Sequence, residues 1–184
     1  MPGSQIQIRE IKLADAQDVA RVHASAWKTA YRGIVPDATL DGMSEQVGAP
    51  RFSQRIREHL DNPSAFPFVV AIFDGSIIGF AHARQPTDSP PEFDCEIGAI
   101  YVDPQAQRRG VGQALVREIV KSFVVFGFSN MIIWCFTGNK WRSFYEKIGG
   151  KLLPVAREKE ISNKKLPLAA YGWSDLKSLV KRLG

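Results

Sequence analysis

Residues 96–116, Glu-Ile-Gly-Ala-Ile-Tyr-Val-Asp-Pro-Gln-Ala-Gln-Arg-Arg-Gly-Val-Gly-Gln-Ala-Leu-Val, decide the fold. The apolar run over 94–102 reads as a strand, and Asp103-Pro104 ends it, because proline offers no N–H to a ladder. From about Arg109 to Phe126 the apolar residues Val111, Leu115, Ile119, Val120, Phe123 and Val124 recur at helical spacing. Gln113, Arg117, Glu118 and Lys121 fall on the other side, so the segment reads as an amphipathic helix. Between strand and helix lies Gln107-Arg108-Arg109-Gly110-Val111-Gly112. Two glycines at a helix start allow close backbone approach, and the free N–H groups of the first turn face that approach with the positive end of the helix dipole. Such a turn suits a phosphate, with Arg108 and Arg109 adding charge. The plainer reading is a basic strand-to-helix connection.

Working outward, residues 5–13 alternate as a half-buried strand, and Asp15 with Asp18 marks a helix carrying Val19, Val22, Ala26 and Ala30 to Gly33 and Pro36. A polar stretch follows, then a short helix through Phe52, Ile56 and Leu60, closed by Asn62-Pro63. Residues 66–84 read as a hairpin turning at Asp74-Gly75. Residues 130–136 are apolar on both faces, as a central strand is. Trp141, Phe144, Tyr145 and Ile148 give a short helix that Gly149-Gly150 ends. Strands over about 151–160 and 165–173 complete a mixed α/β chain of about seven strands and four helices, a single domain over 1–184.

Composition narrows the partners. The chain has 184 residues, 45% hydrophobic and 23% charged, an ordinary globular balance. Lys and Arg number 24 against 19 Asp and Glu, a net charge of +5; without a nucleic-acid motif this excess alone argues for no nucleic-acid partner. The longest apolar runs, 66–73 and 131–136, fall short of the roughly 20 residues of a membrane span. The start of the chain lacks the apolar core of a signal peptide. A cytoplasmic protein with no membrane partner is expected. Cys95 and Cys135 lack zinc or redox spacing, no cluster has metal-ligand spacing, and His23, His59 and His82 stand isolated. Leu115 stands where a dinucleotide fingerprint needs its third glycine, which argues against a Rossmann site.

Gln107-x-x-Gly110-x-Gly112 behind its strand resembles the pyrophosphate loop of the GNAT N-acetyltransferases. Three further stretches are similar to that family: Asn139 ahead of Phe144-Tyr145-Glu146-Lys147-Ile148-Gly149-Gly150; Ile8-Arg9 with Trp27 and Tyr31-Arg32-Gly33-Ile34-Val35-Pro36; and Tyr171-Gly172-Trp173 before a short tail, an ending similar to many bacterial members. The resemblance spans essentially the whole chain. It implies a mostly antiparallel sheet splayed between the strands at 94–102 and 130–136, and acetyl transfer from acetyl-CoA to a primary amine by direct attack in a ternary complex. Acetyl-CoA is then a co-substrate, and no metal is implied.

On the same resemblance, the pyrophosphate rests on the backbone of Arg108, Arg109, Gly110, Val111, Gly112 and Gln113, next to Gln107. The pantetheine pairs with Ile100, Tyr101 and Val102, and Asn139 supports the cofactor. Glu96 becomes the candidate base, acting through water, with Glu92 and Asp94 next in line; its plainer reading is an ion-paired strand carboxylate. Tyr145 becomes the candidate acid toward the thiolate, or else a core tyrosine. Independently, Gly98 inside an apolar strand signals a bulge or close approach, where a backbone N–H can serve the oxyanion. Cys135, in an apolar strand with no histidine adjacent, reads as packing rather than a nucleophile. Trp27, Tyr31 and Arg32, with Ser162-Asn163-Lys164-Lys165, are the candidate acceptor side, suited to a small polar or acid-bearing amine. A small molecule or peptide remains open as acceptor, as does homodimerisation. A weakly catalytic acyl-CoA-sensing module is the alternative.

Overall fold

The computed structural model describes residues 5–62, 66–87 and 89–184, so Pro63, expected to close a helix, lies outside the described residues. The strands are β1 (Gln7–Glu10), β2 (Phe68–Phe73), β3 (Ser76–Arg84), β4 (Glu96–Val102), β5 (Met131–Phe136), β6 (Lys151–Leu152), β7 (Arg157–Ile161) and β8 (Lys164–Trp173). The helices are α1 (Ala16–Tyr31), α2 (Asp37–Asp41), α3 (Glu45–Asp61), α4 (Val111–Val125), α5 (Ser143–Lys147) and α6 (Leu176–Leu183). The strands form one mixed sheet in the order β1-β2-β3-β4-β5-β8-β6, with β7 also on β8. Every pairing is antiparallel except β4 with β5. This is the expected α/β class.

Local chemistry accounts for the elements that were anticipated. Asp74 and Gly75 both adopt positive φ, 49° and 77°, the combination whose twist matches a tight hairpin. Asp103 ends β4 as expected, and its carboxylate accepts from the Gln105 N–H at 3.0 Å. Asp15 precedes α1, yet its carboxylate turns back to accept from both Arg9 nitrogens at 2.7 and 2.8 Å and from the Lys12 N–H at 2.7 Å. Arg21 then ties α1 to the sheet by donating to Asp103 at 3.1 Å and to the Ile77 carbonyl at 2.7 Å.

Three differences from the sequence reading have physical causes. The strand expected over 151–160 is two strands: Pro154 has no N–H for the ladder, so β6 and β7 meet β8 separately. The short helix expected through Phe52 begins at Glu45, capped by Ser44, whose hydroxyl accepts from the Val47 N–H at 3.2 Å. Tertiary packing carries it past Pro50, because Gly48 lets α3 lie so close to α1 that an added Cβ would stand 3.0 Å from Ala20 Cβ. Finally, the tail is a helix. Asp175 caps α6, and Leu176, Leu179 and Leu183 bury one stripe against α4, about 1.5–3 kcal/mol for each buried leucine.

The sheet separates two apolar layers. One gathers Val111, Leu115, Ile119 and Phe123 of α4 with α6. The other gathers Val19, Val22, Phe52 and Ile56 of α1 and α3 against Phe68 and Phe80. A smaller third group, with Tyr31, Leu40, Phe136 and Leu166, lies where α1 and α2 cross the far half of the sheet. Among the described residues, no helix is long and apolar enough to cross a membrane.

Candidate active site

The site originates in a pairing that fails. β4 and β5 share a single register pair, Glu96 with Ile132, supported by the Ile132 N–H donating to the Cys95 carbonyl at 3.0 Å. Beyond that point the two strands part. The backbone of β4 from Gly98 to Val102 therefore faces a gap on one side while β3 satisfies the other. Unpaired N–H and C=O groups beside a cavity invite a ligand able to pair with them. The β3 register confirms a bulge at Gly98: His82 faces Ala99 and Ala83 faces Ile97, which leaves Gly98 opposite no residue. A Cβ there would stand 2.7 Å from Arg84 Nε, so the Arg84 side chain crosses this position.

The gap opens into a cavity of about 410 Å³, within the range of small-molecule and cofactor sites. Its walls include Ile100, Tyr101, Val102, Gln107, Arg108, Gly110, Val111, Gly112, Gln113 and Asn139, all anticipated on the cofactor side, Tyr145, anticipated as the acid, and Tyr31 on the acceptor side. Ile133, Trp134 and Cys135 of β5 form the opposing wall, with Trp141, Ser143, Phe144 and Lys147 around α5. None of these was an expected site residue: Ile133, Trp134, Cys135, Trp141 and Phe144 read equally well as core, and Ser143 and Lys147 follow no pattern that marks a wall.

At the α4 end the backbone forms a cradle. Arg108 and Gly110 both take positive φ, 64° and 82°, and the first intrahelical bond runs from the Ala114 N–H to the Gly110 carbonyl. The N–H groups ahead of it have no partner within the helix and sit at the dipole's positive end. Arg109 contributes to this turn without lining the cavity.

Tyr145 stands on the opposite side, with its ring 5.4 Å from that of Tyr171. The Tyr171 hydroxyl accepts from Arg142 at 3.1 Å and donates to Glu146 at 3.0 Å, fixing that support. Burial, reinforced by Cys135, Tyr101 and Tyr171, holds the Tyr145 phenol far above its ordinary range. It stays a neutral phenol at neutral pH. Asn139 Oδ1 accepts from the Trp141 N–H at 2.9 Å, which orients the amide at the cavity wall. Cys135 does reach that wall, but burial pushes its thiol up to about 11, with Arg142 opposing. It remains protonated at neutral pH, unlike a nucleophilic thiolate. Both cysteines are free.

The remaining expected residues lie elsewhere. Glu96 is 1% exposed and off the cavity wall. Arg84 donates to its Oε1 from Nη2 at 2.5 Å and Nε at 3.0 Å, while Oε2 has only a long contact, 3.4 Å, with the Thr87 N–H. Trp27 meets Tyr31 edge-to-face, ring centroids 5.0 Å apart, behind the wall. Arg32 turns outward to Asp37 at 3.1 Å and Asp41 at 2.8 Å, because these carboxylates follow it within one helical turn of α2. Among the described residues, no three His, Cys, Asp or Glu side chains gather as a metal site.

Comparison with known proteins agrees with this architecture. The Thermoplasma acidophilum PaiA N-acetyltransferase, solved with coenzyme A, superposes with a TM-score of 0.70 at 20% identity, over 90% of this chain and 98% of that one. The Salmonella typhimurium protein yncA, a putative acetyltransferase solved with acetyl-CoA, gives a TM-score of 0.70 at 16% identity, over 93% and 94%. In sequence, the uncharacterized N-acetyltransferase YuaI of Bacillus subtilis is 30% identical over 175 residues, 95% of this chain and 96% of that protein. A probable N-acetyltransferase of Mycobacterium tuberculosis, Rv2775, is 29% identical over 150 residues, 80% of each chain. The family described as Acetyltransferase (GNAT) matches residues 15–150. On that match, and on a relationship to the Bacillus protein along nearly its whole length, the chain belongs to the GNAT acetyltransferase family.

Proposed function

We propose that this chain transfers the acetyl group of acetyl-CoA to a primary amine by direct attack in a ternary complex. One observation carries the reading. The cavity between β4 and β5 runs from an anion cradle at α4, past unpaired strand backbone, to a neutral tyrosine and an aromatic wall. Those three surroundings suit in turn a pyrophosphate, an amide-bearing arm and a thioester. Two structural neighbours were solved with coenzyme A or acetyl-CoA.

Acetyl-CoA supplies an activated acyl group when bound. The N–H groups of Gly110 to Gln113 hold its phosphates, and Arg108 adds charge. The free backbone groups of Ile100 to Val102 pair with the pantetheine arm, and Asn139 offers its amide beside it. At the bulge, a backbone N–H near Gly98 donates to the carbonyl oxygen as negative charge develops there. Tyr145 gives its hydroxyl proton to the departing sulfur and regains one from the attacking nitrogen, which must shed a proton as it becomes the amide, so the phenol ends neutral as it began. An acceptor ammonium must first lose a proton. Glu96 takes it through water, using Oε2, the oxygen Arg84 leaves free. Support for that role is its place two residues before Gly98, where the β4 backbone reaches the cavity and Arg84 crosses.

The test is CoA release from acetyl-CoA across a panel of small primary amines and peptide N-termini. Saturable turnover with at least one amine is expected. Tight acetyl-CoA binding with no turnover on the whole panel would refute the enzyme and leave the sensing module.

A further inference from the structure

Around the His23–Trp27 pair, whose rings lie 5.2 Å apart behind the cavity wall, cations from separate parts of the chain converge. Arg51 and Arg55 come from α3, Arg84 from the end of β3, and Arg157 and Lys159 from β7. Lys159 Nζ lies 6.0 Å over the Trp27 ring. Arg51 and Arg55 both bear electrostatically on Tyr101 and, together with Lys159, on His23. Burial and then the four arginines, Arg84 first, hold the Lys159 ammonium below its ordinary range.

Glu96 neutralises Arg84, and Arg157 donates to the Thr87 carbonyl at 3.0 Å. Arg51, Arg55 and Lys159 make no ion pair among the described residues. Like charges held together without counter-charge work against the folded state, and an anionic ligand relieves that repulsion. A second observation points the same way. The Trp27 ring under Lys159 meets Tyr31 edge-to-face at 5.0 Å and lies 6.5 Å from Tyr101, and both tyrosines line the cavity, so the ammonium stands just behind its aromatic end. Three cations that close no ion pair, set behind an aromatic wall, suit an acid oxygen, which forms charge-assisted hydrogen bonds with such groups.

We infer that the acceptor is a small primary amine that also carries an acid group, a carboxylate or a phosphonate, which Arg51, Arg55 and Lys159 receive while Tyr31 and Tyr101, backed by Trp27, flank its carbon skeleton. This rests on the acetyltransferase reading and specifies its substrate class. The same positive surroundings assist the chemistry, because nearby cations lower the pKa of a bound ammonium. Polycationic amines meet repulsion at the same point.

The test uses the full chain with acetyl-CoA and amines matched in size: β-alanine and 2-aminoethylphosphonate against ethanolamine and 1,3-diaminopropane, followed by CoA release. The acids should exceed the others in kcat/KM by about tenfold or more, as expected for several partly exposed ion pairs acting together. Combining Arg55→Gln with Lys159→Gln should bring that ratio close to unity by raising KM for the acids, and Arg55→Lys should keep most of it. An equal or inverted preference in the unaltered chain overturns the inference and leaves acetyl transfer standing. If no amine is acetylated, the same four are titrated by calorimetry onto the CoA-bound chain. Binding of the acids alone, lost in the double variant, then upholds the acid-receiving cluster, and the missing turnover counts against the enzyme reading alone. No such binding overturns the inference.

Discussion

Gly110→Asp probes the anion cradle where backbone geometry makes the outcome calculable. Gly110 has φ +82°, and an added Cβ would meet nothing within 4 Å. The cost to the free protein is therefore backbone strain alone, roughly 1–2 kcal/mol for a side chain in the left-handed region. For a chain of this size each kcal/mol moves Tm by about 2–4 °C, so the unliganded melt should drop by about 2–8 °C. Acetyl-CoA at a hundredfold excess over its Kd stabilises the unaltered protein by about 2.7 kcal/mol, a rise of about 5–11 °C. In the variant the new carboxylate occupies the positive field meant for phosphate, so the rise should vanish. Thermal melts with and without acetyl-CoA, at low and high salt, read both quantities, and salt should weaken the rise in the unaltered protein. Gly112 is a poorer probe, because a Cβ there stands 3.3 Å from Phe144 Cζ and disturbs packing as well. If Gly110→Asp still melts higher with acetyl-CoA by the full amount, the α4 turn does not hold the phosphates and the binding argument fails.

Tyr145→Phe should lower kcat by about 10²-fold, at the modest end of general-acid contributions, with KM for acetyl-CoA nearly unchanged; an unaltered kcat would show the hydroxyl only packs. For Glu96→Gln, turnover should fall far more than acetyl-CoA affinity, and the rise in rate with pH should change shape. A profile matching the unaltered enzyme would pass the base role to Glu92 or Asp94. Acid stability tests the buried imidazoles, because burial lowers His82 to about 4 and His23 to about 3. Both are neutral when folded while the unfolded chain binds protons below its ordinary value of about 6.5, so stability is complete above that pH and falls as pH drops toward 4, by up to about 1.4 kcal/mol per unit for each histidine. His82→Gln should flatten that fall in melts taken between about pH 7 and 4. Parallel curves would refute the assignment. Asp15, lowered by Arg9 and the Lys12 N–H against the cost of burial, loses its contribution only at more acid pH, below its ordinary 3.8.

Local pattern was sufficient wherever neighbouring residues decide the outcome. The strand, turn and helix over 96–126, the Asp74-Gly75 hairpin, the two-faced apolar strand β5 and the bulge at Gly98 all follow from residues a few positions apart. Backbone sterics and side-chain period act at that range. The lining of the cavity at the α4 end was legible for the same reason, since its cradle is one continuous loop and helix start. The surroundings of its aromatic end were not. Arg84 reaches Glu96 only because β3 and β4 pair, and Arg51, Arg55 and Lys159 meet only because α3 and β7 close on α1 from opposite ends of the chain. Periodicity shows which face of an element is buried but not which distant charge that face will meet. The division of β6 from β7 shows the limit from the other direction: Pro154 was visible in the sequence, but its effect depended on the ladder it interrupts. Long-range packing also turned Arg84 rather than Arg32 toward the site, because a charged side chain goes to the nearest counter-charge, and only the folded chain determines which one is near.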